Sequence, residues 1–226
     1  MVGLVLGSLR LPVILLASGN AAAAAGTNIA VSAAAALTGA VTHARARRVD
    51  WRIAAWMTPP SVAAAFLGGY LSGLVAEEIL LAAIAAVLAW NGIDLLLELR
   101  TPRPARRPAA AAALAGALIG FLGGAVGLIL GTLRLPALLG SIGLSAHRAV
   151  GTNLVVGFFL GASGFLGHVA RLEVEWAVLG VSLAGALPGA WLGSRLTGRL
   201  SELALKRAIG GALLIAAAAI GLAALL

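Results

Sequence analysis

The sequence predicts an all-α, polytopic membrane protein of about eight transmembrane helices, arranged as two tandem four-helix repeats. Three observations carry this. Of 226 residues, 61% are hydrophobic and only 11% charged, whereas soluble domains carry about a quarter charged residues. Apolar runs longer than about 18 residues recur from end to end, and mean hydropathy is +1.04. The chain also matches itself.

The self-match is specific. Val2-Gly-Leu-Val-Leu-Gly-Ser-Leu-Arg-Leu-Pro12 aligns with Val126-Gly-Leu-Ile-Leu-Gly-Thr-Leu-Arg-Leu-Pro136, with only Val/Ile and Ser/Thr differing. One residue further on the offset becomes 125. Gly26-Thr27-Asn28 then meets Gly151-Thr152-Asn153, Gly39 meets Gly164, and His43 meets His168. Asp50-Trp51 meets Glu175-Trp176, and Glu77 meets Glu202. Arg, His, Asn, Pro and Trp in register are not alanine noise.

The first copy, residues 1–99, reads as helices near 2–17, 21–44, 52–74 and 77–99. The run from Val2 to Ala17 would rise about 24 Å, short of a hydrocarbon core of roughly 30 Å. The expectation is therefore that the first helix lacks its front. Ser18-Gly19-Asn20 and the basic Arg45-Ala-Arg-Arg48 loop break the next two spans, and Glu77-Glu78 opens the fourth at its positive end. Residues 100–108, Arg-Thr-Pro-Arg-Pro-Ala-Arg-Arg-Pro, form a linker whose three prolines forbid a continuous helix. The second copy, 109–226, reads as helices near 109–134, 147–170, 175–198 and 202–225, with Ser201 as an N-cap.

An even number of spans per copy makes both copies point the same way, related by an axis along the membrane normal. With the N-terminus in the cytoplasm, Arg45, Arg47, Arg48, Arg52, the linker arginines and Arg171 fall inside. Arg195, Arg199, Lys206 and Arg207, with Arg148, fall outside; nine basic residues against five favour both termini inside, although the last hairpin argues against it.

Composition excludes several classes. There is no cysteine, so disulfide frameworks, thiolate metal sites and cysteine nucleophiles are ruled out. Metalloprotease, nucleophile-elbow and P-loop motifs are missing, and acids sit at helix ends. The reading is therefore not an enzyme, with no cofactor and no metal. The 16 Lys+Arg against 8 Asp+Glu sit in short loops, where they set topology and meet lipid head groups rather than nucleic acid.

Two duplicated elements can carry chemistry. Gly-x-Leu-Arg-Leu-Pro ends at Pro12 and Pro136, and Gly/Pro-interrupted apolar segments at matching places mark transporter binding sites. Arg10 and Arg134 lie within them. An unpaired arginine there costs roughly 2.5–3.5 kcal/mol, so it needs water, a partner or an anionic ligand, or it snorkels to the interface. The second element, Gly26-Thr27-Asn28 and Gly151-Thr152-Asn153, reads equally as donors along a substrate path or as helix–helix glue. His43 and His168 could relay protons, but their places near helix ends favour interfacial anchoring, and Trp51, Trp56 and Trp176 read as belt residues.

At these residues the sequence resembles the TauE/SafE family of membrane permeases. The motifs are Gly120-Phe-Leu-Gly-Gly-Ala-Val-Gly127, Arg134-Leu-Pro136, Ala149-Val-Gly-Thr-Asn153, Gly164 and Val174-Glu-Trp176. The first copy shows Arg10-Leu-Pro12, Ala25-Gly-Thr-Asn28, Gly39 and Val49-Asp-Trp51. A glycine triplet usual before the Pro segment is replaced by Ile129-Leu130-Gly131 and Val5-Leu6-Gly7. The resemblance implies a multi-pass permease of the cell (inner) membrane that moves sulfite, sulfonates or related organic anions. Arg10, Pro12, Gly26, Thr27, Asn28, Arg134, Pro136, Gly151, Thr152 and Asn153 would form its binding region. Its partners would be a small anion and the lipid bilayer, with homo-oligomerisation left open and no nucleic acid. The alternative is a non-transporting membrane scaffold or assembly factor.

Overall fold

The computed structural model describes residues 10, 13–14, 16–18, 21–70, 85–86, 89–90, 92–93, 96–97, 107–126 and 129–223. Among them there are helices and loops and no strand. In chain order these are α1 (Ala21–Arg45), α2 (Trp51–Tyr70), α3 (Pro108–Val126), α4 (Gly131–Pro136), α5 (Ala146–Ala170), α6 (Trp176–Thr197) and α7 (Glu202–Ala223). Three of them, Ala23–Arg45 within α1, α5 and α6, are long and apolar enough to cross a membrane.

α1 and α5 form the centre. Over their most apolar stretches they are 61% and 67% buried, whereas α6 is 11% buried and lies at the periphery. The two central helices cross antiparallel. Gly26 packs on His168, Gly161 on Ala33, Gly157 on Ala36, Gly39 on Leu154 and Gly151 on His43. Small residues along both helices let the backbones approach this closely. Because α1 and α5 occupy matching positions of the self-match, their antiparallel course corrects the expectation that the two copies point the same way about the membrane normal.

The reason lies in the stretch read as one helix over 109–134. α3 ends at Val126, and Ile129-Leu130 leaves helical hydrogen bonding before α4 begins. Ile129 lies over Gly161 and Arg134 beside Gly157, so α4 runs back along α5 toward the end where α5 starts. Pro136 then lacks an N–H and its ring crowds the carbonyl four residues back. The next turn widens to a π turn over Ala137–Ser141, closed by Ile142 N–H to Ala137 O at 2.9 Å. This return leg reverses the chain between α3 and α5, and α5 then runs antiparallel to α1.

α3 runs parallel to α2, with Gly116, Gly120 and Gly124 seated on the backbone of Met57, Ser61 and Ala65. Helical residues of the 77–99 stretch pack on α7, Leu96 against Gly210 and Gly92 against Leu214.

These directions gather one end of the molecule. Arg148 pairs with Asp50 at 2.8 Å, Arg48 Nη2 donates to Gly198 O at 3.0 Å, and Glu202 accepts from the Ala146 N–H that opens α5. Arg45, Arg47, Arg52, Arg107, Arg195, Arg199, Lys206 and Arg207 share this end through the helix termini that carry them. The opposite end has Arg171, paired with Glu173 at 3.0 Å. The division of Arg45–Arg52 and the last hairpin between two sides is thereby corrected.

Candidate functional site

Each arginine of the duplicated Leu-Arg-Leu-Pro element reaches the asparagine of a Gly-Thr-Asn element. Arg10 Nε donates to Asn28 Oδ1 at 3.0 Å, and Arg134 Nε donates to Asn153 Oδ1 at 2.8 Å. Sequence alone did not pair these elements. α4 presents Arg134 to α5, and Asn153 is fixed in turn by donating Nδ2 to Gly131 O at 2.9 Å. Asn28 and Asn153 are fully buried.

Beyond that shared bond the two arginines differ. Arg10 also gives Nη2 to Ser32 Oγ at 2.7 Å and to Asn28 O at 3.2 Å. Arg134 is fully buried, yet its Nη1 and Nη2 have no hydrogen-bond partner among the described residues. A buried polar group without a partner is rare and costly, the more so when charged. Arg134 therefore presents two donors of its guanidinium fork, the arrangement that grips an oxyanion through two hydrogen bonds.

The threonines and glycines of the Gly-Thr-Asn elements do something else. Thr27 Oγ1 accepts from Glu175 N–H at 2.9 Å, and Thr152 Oγ1 accepts from Asp50 N–H at 2.9 Å. A Cβ on Gly26 would overlap Glu173 O, and one on Gly151 would overlap Arg48 O. The two sets of contacts are reciprocal, each residue standing 125 positions from its counterpart in the other set. They hold each helix of the central pair to the loop that follows the other. At this element Gly and Thr make helix-to-loop contacts, and Asn turns to the arginine.

Pro136 sits at the junction of α4 and the π turn, two residues after Arg134, whereas Pro12 lies outside the described residues. His43 and His168 are 1% and 6% exposed, packed on Gly151 and Gly26. This corrects their reading as interfacial anchors. His168 Nδ1 bonds Glu173 Oε2 at 2.9 Å, while neither ring nitrogen of His43 has a partner among the described residues. Trp51, Trp56 and Trp176 are exposed, as belt residues require. Sequence reasoning passed over Ser32 and Gly157. Their mismatch at the 125 offset was the signal that could have found them. Among the described residues no group of His, Cys, Asp and Glu could hold a metal ion.

Residues 1–220 match the profile of the family described as sulfite exporter TauE/SafE. Among curated proteins the chain is similar to the probable membrane transporter protein YdhB of Bacillus subtilis (strain 168). The two are 25% identical over 193 residues, covering 82% of this chain and 79% of the relative. No solved structure matches.

Proposed function

The chain belongs to the TauE/SafE family and is a membrane transporter, and from that premise we propose that it is a multi-pass permease of the cell (inner) membrane for small sulfur-containing or other organic anions, such as sulfite and sulfonates. The binding region is built on the pairs Arg10–Asn28 and Arg134–Asn153. One observation carries the reading: a fully buried guanidinium whose Nη1 and Nη2 have no partner among the described residues. A scaffold needs the reciprocal packing of α1 and α5 but has no use for a charge left unpaired in its interior, where it costs several kcal/mol. An arriving anion supplies the missing partner, and its departure restores the cost.

The reciprocal contacts support two inverted repeats of the four-helix kind read in the sequence, related by an axis in the membrane plane, with the site at their interface. The basic end is assigned to the cytoplasm, since Lys and Arg accumulate there. The natural lack of cysteine makes this testable. A cysteine placed at Leu172, on the other end and 92% exposed, is expected to react with an impermeant maleimide in intact cells. One at Ala46 should stay unlabelled until the membrane is opened, and the reverse pattern overturns the topology.

The transport reading is tested by flux in proteoliposomes against a panel of sulfite, ethanesulfonate, sulfate and acetate. Saturable flux of sulfite or sulfonate above that of protein-free vesicles is expected. Absence of saturable flux for every anion of the panel sinks the proposal.

A further inference from the structure

We infer that the two arginines are not equivalent binding groups: the anion is held by Arg134 alone, and Gly157 is the residue that keeps Arg134 available for it, while Ser32 at the matching position closes Arg10. The inference rests on the anion-permease reading and narrows it.

The two half-sites start from the same chemistry. Each arginine commits Nε to the asparagine of its own copy. One difference between them is a side chain beside the guanidinium. Ser32 and Gly157 stand 125 positions apart, so they occupy the same place relative to Asn28 and Asn153, four residues further along each helix. In the first copy the hydroxyl of Ser32 takes Nη2 of Arg10 at 2.7 Å. In the second copy the position has no side chain, and a Cβ built there would lie 3.2 Å from Arg134 Nη2. A serine at 157 would therefore place its hydroxyl within bonding reach of that nitrogen, as Ser32 does for Arg10. Glycine supplies no acceptor there, at a position closely walled by Ile129 and, further off, by Ala36 of α1.

The consequence follows from donor geometry. Arg10 has its Nε and Nη2 engaged, so Nη1 is left and a two-donor grip is lost. Arg134 retains Nη1 and Nη2 together, the end of the fork that binds two oxygens of one oxyanion. Arg10 then acts as a positioning residue, tying its segment to α1.

The test uses the full-length protein in detergent and in proteoliposomes with sulfite as the probe. In the wild-type protein sulfite is expected to raise Tm and to cross the membrane with saturation. Gly157→Ser is expected to raise Tm without sulfite, because it supplies the missing acceptor. It should weaken sulfite affinity by roughly tenfold or more, the factor that one lost charge-assisted bond implies. Gly157→Ala, which adds the methylene without the acceptor, should not raise the sulfite-free Tm. Ser32→Ala is expected to lower Tm and leave sulfite affinity within about twofold. A Gly157→Ser protein that keeps wild-type sulfite affinity overturns the inference while leaving the permease reading intact. So does loss of affinity in Ser32→Ala with none in Gly157→Ser, which would move the anion to Arg10. A wild-type protein with no sulfite response in Tm or flux overturns the inference together with its premise.

Discussion

At the crossing of α1 and α5 the duplicated residues make the same contacts in both copies: Gly26 meets His168 as Gly151 meets His43, and Thr27 meets Glu175 as Thr152 meets Asp50. At the arginines the duplication diverges, with Arg10 closed by Ser32 and Arg134 left open beside Gly157. The difference separates two kinds of constraint. A contact between a glycine and a backbone carbonyl tolerates no added atom, so the packing half of each motif repeats without variation. At the arginines, a serine in one copy stands where the other has glycine, and the contacts of the two guanidinium groups part there.

The largest expected effect breaks the symmetric region. Gly26→Ala and Gly151→Ala each drive a Cβ into a backbone carbonyl, which cannot move aside as a side chain could. Each should cost about 3 kcal/mol or more, seen as loss of monodisperse protein on size exclusion. Gly189→Ala on α6, where a Cβ meets open space, should behave as wild type. If all three behave alike, the crossing is not the tight contact described.

Next come the arginines, where the copies should differ in sign. Arg134→Gln removes a buried charge whose Nη1 and Nη2 lack partners among the described residues, so Tm without ligand should stay level or rise, while saturable anion flux is lost. Arg10→Gln breaks three hydrogen bonds and should lower Tm. Lys at 134 should restore flux only in part, because an ammonium lacks the planar fork. Equal flux in the Arg, Lys and Gln proteins would remove the reason for assigning an anion.

A middle-sized effect tests whether the copies are equal where they look equal. Thr27→Val and Thr152→Val each leave one N–H without its acceptor, at a cost of about 1–2 kcal/mol. The two losses in thermal unfolding should agree within about 0.5 kcal/mol. A clear inequality would show that the reciprocal bonds carry unequal load.

The smallest effect lies at the basic end. Burial by itself would raise the Glu202 carboxyl. The Ala146 N–H, the hydrogen bond with His147 and the charges of His147 and Lys206 outweigh it, holding the group below its ordinary range. A lowered folded-state pKa stabilises above the unfolded value near about 4.3 and is lost as pH falls through the folded value. Glu202→Gln should cost less than about 1 kcal/mol at neutral pH, since the side chain is 42% exposed and solvent screens it. Its Tm should converge with wild type as pH drops below that range. A difference that persists at low pH would assign the effect to packing instead of charge.

Much of the site was legible before the fold was known, because duplication marks residues in a way that composition cannot. Arg134, Asn153, Thr152 and Gly151 stood out since polar types repeated in register inside apolar sequence. Which of them touch was not legible. The pairing of Arg134 with Asn153 joins α4 to α5 across an offset that no periodicity reports.

The sequence by itself determined the helical class, the membrane setting and the self-match, because each follows from residue chemistry summed along the chain. Hydropathy is additive, and registers of Arg, Asn, His and Trp can be counted. Direction could not be read that way. Whether 109–134 is one helix or a helix and a return leg turns on a few residues around Ile129 and Pro136, where apolar sequence suits either course. That choice reverses α5 against α1 and brings Arg148 to Asp50. It also sets Gly26 and Gly151 on opposite carbonyls and packs Arg134 against Gly157, which offers it no side-chain acceptor. Only the packed structure decides it, because the deciding energy lies in contacts between segments far apart in the chain.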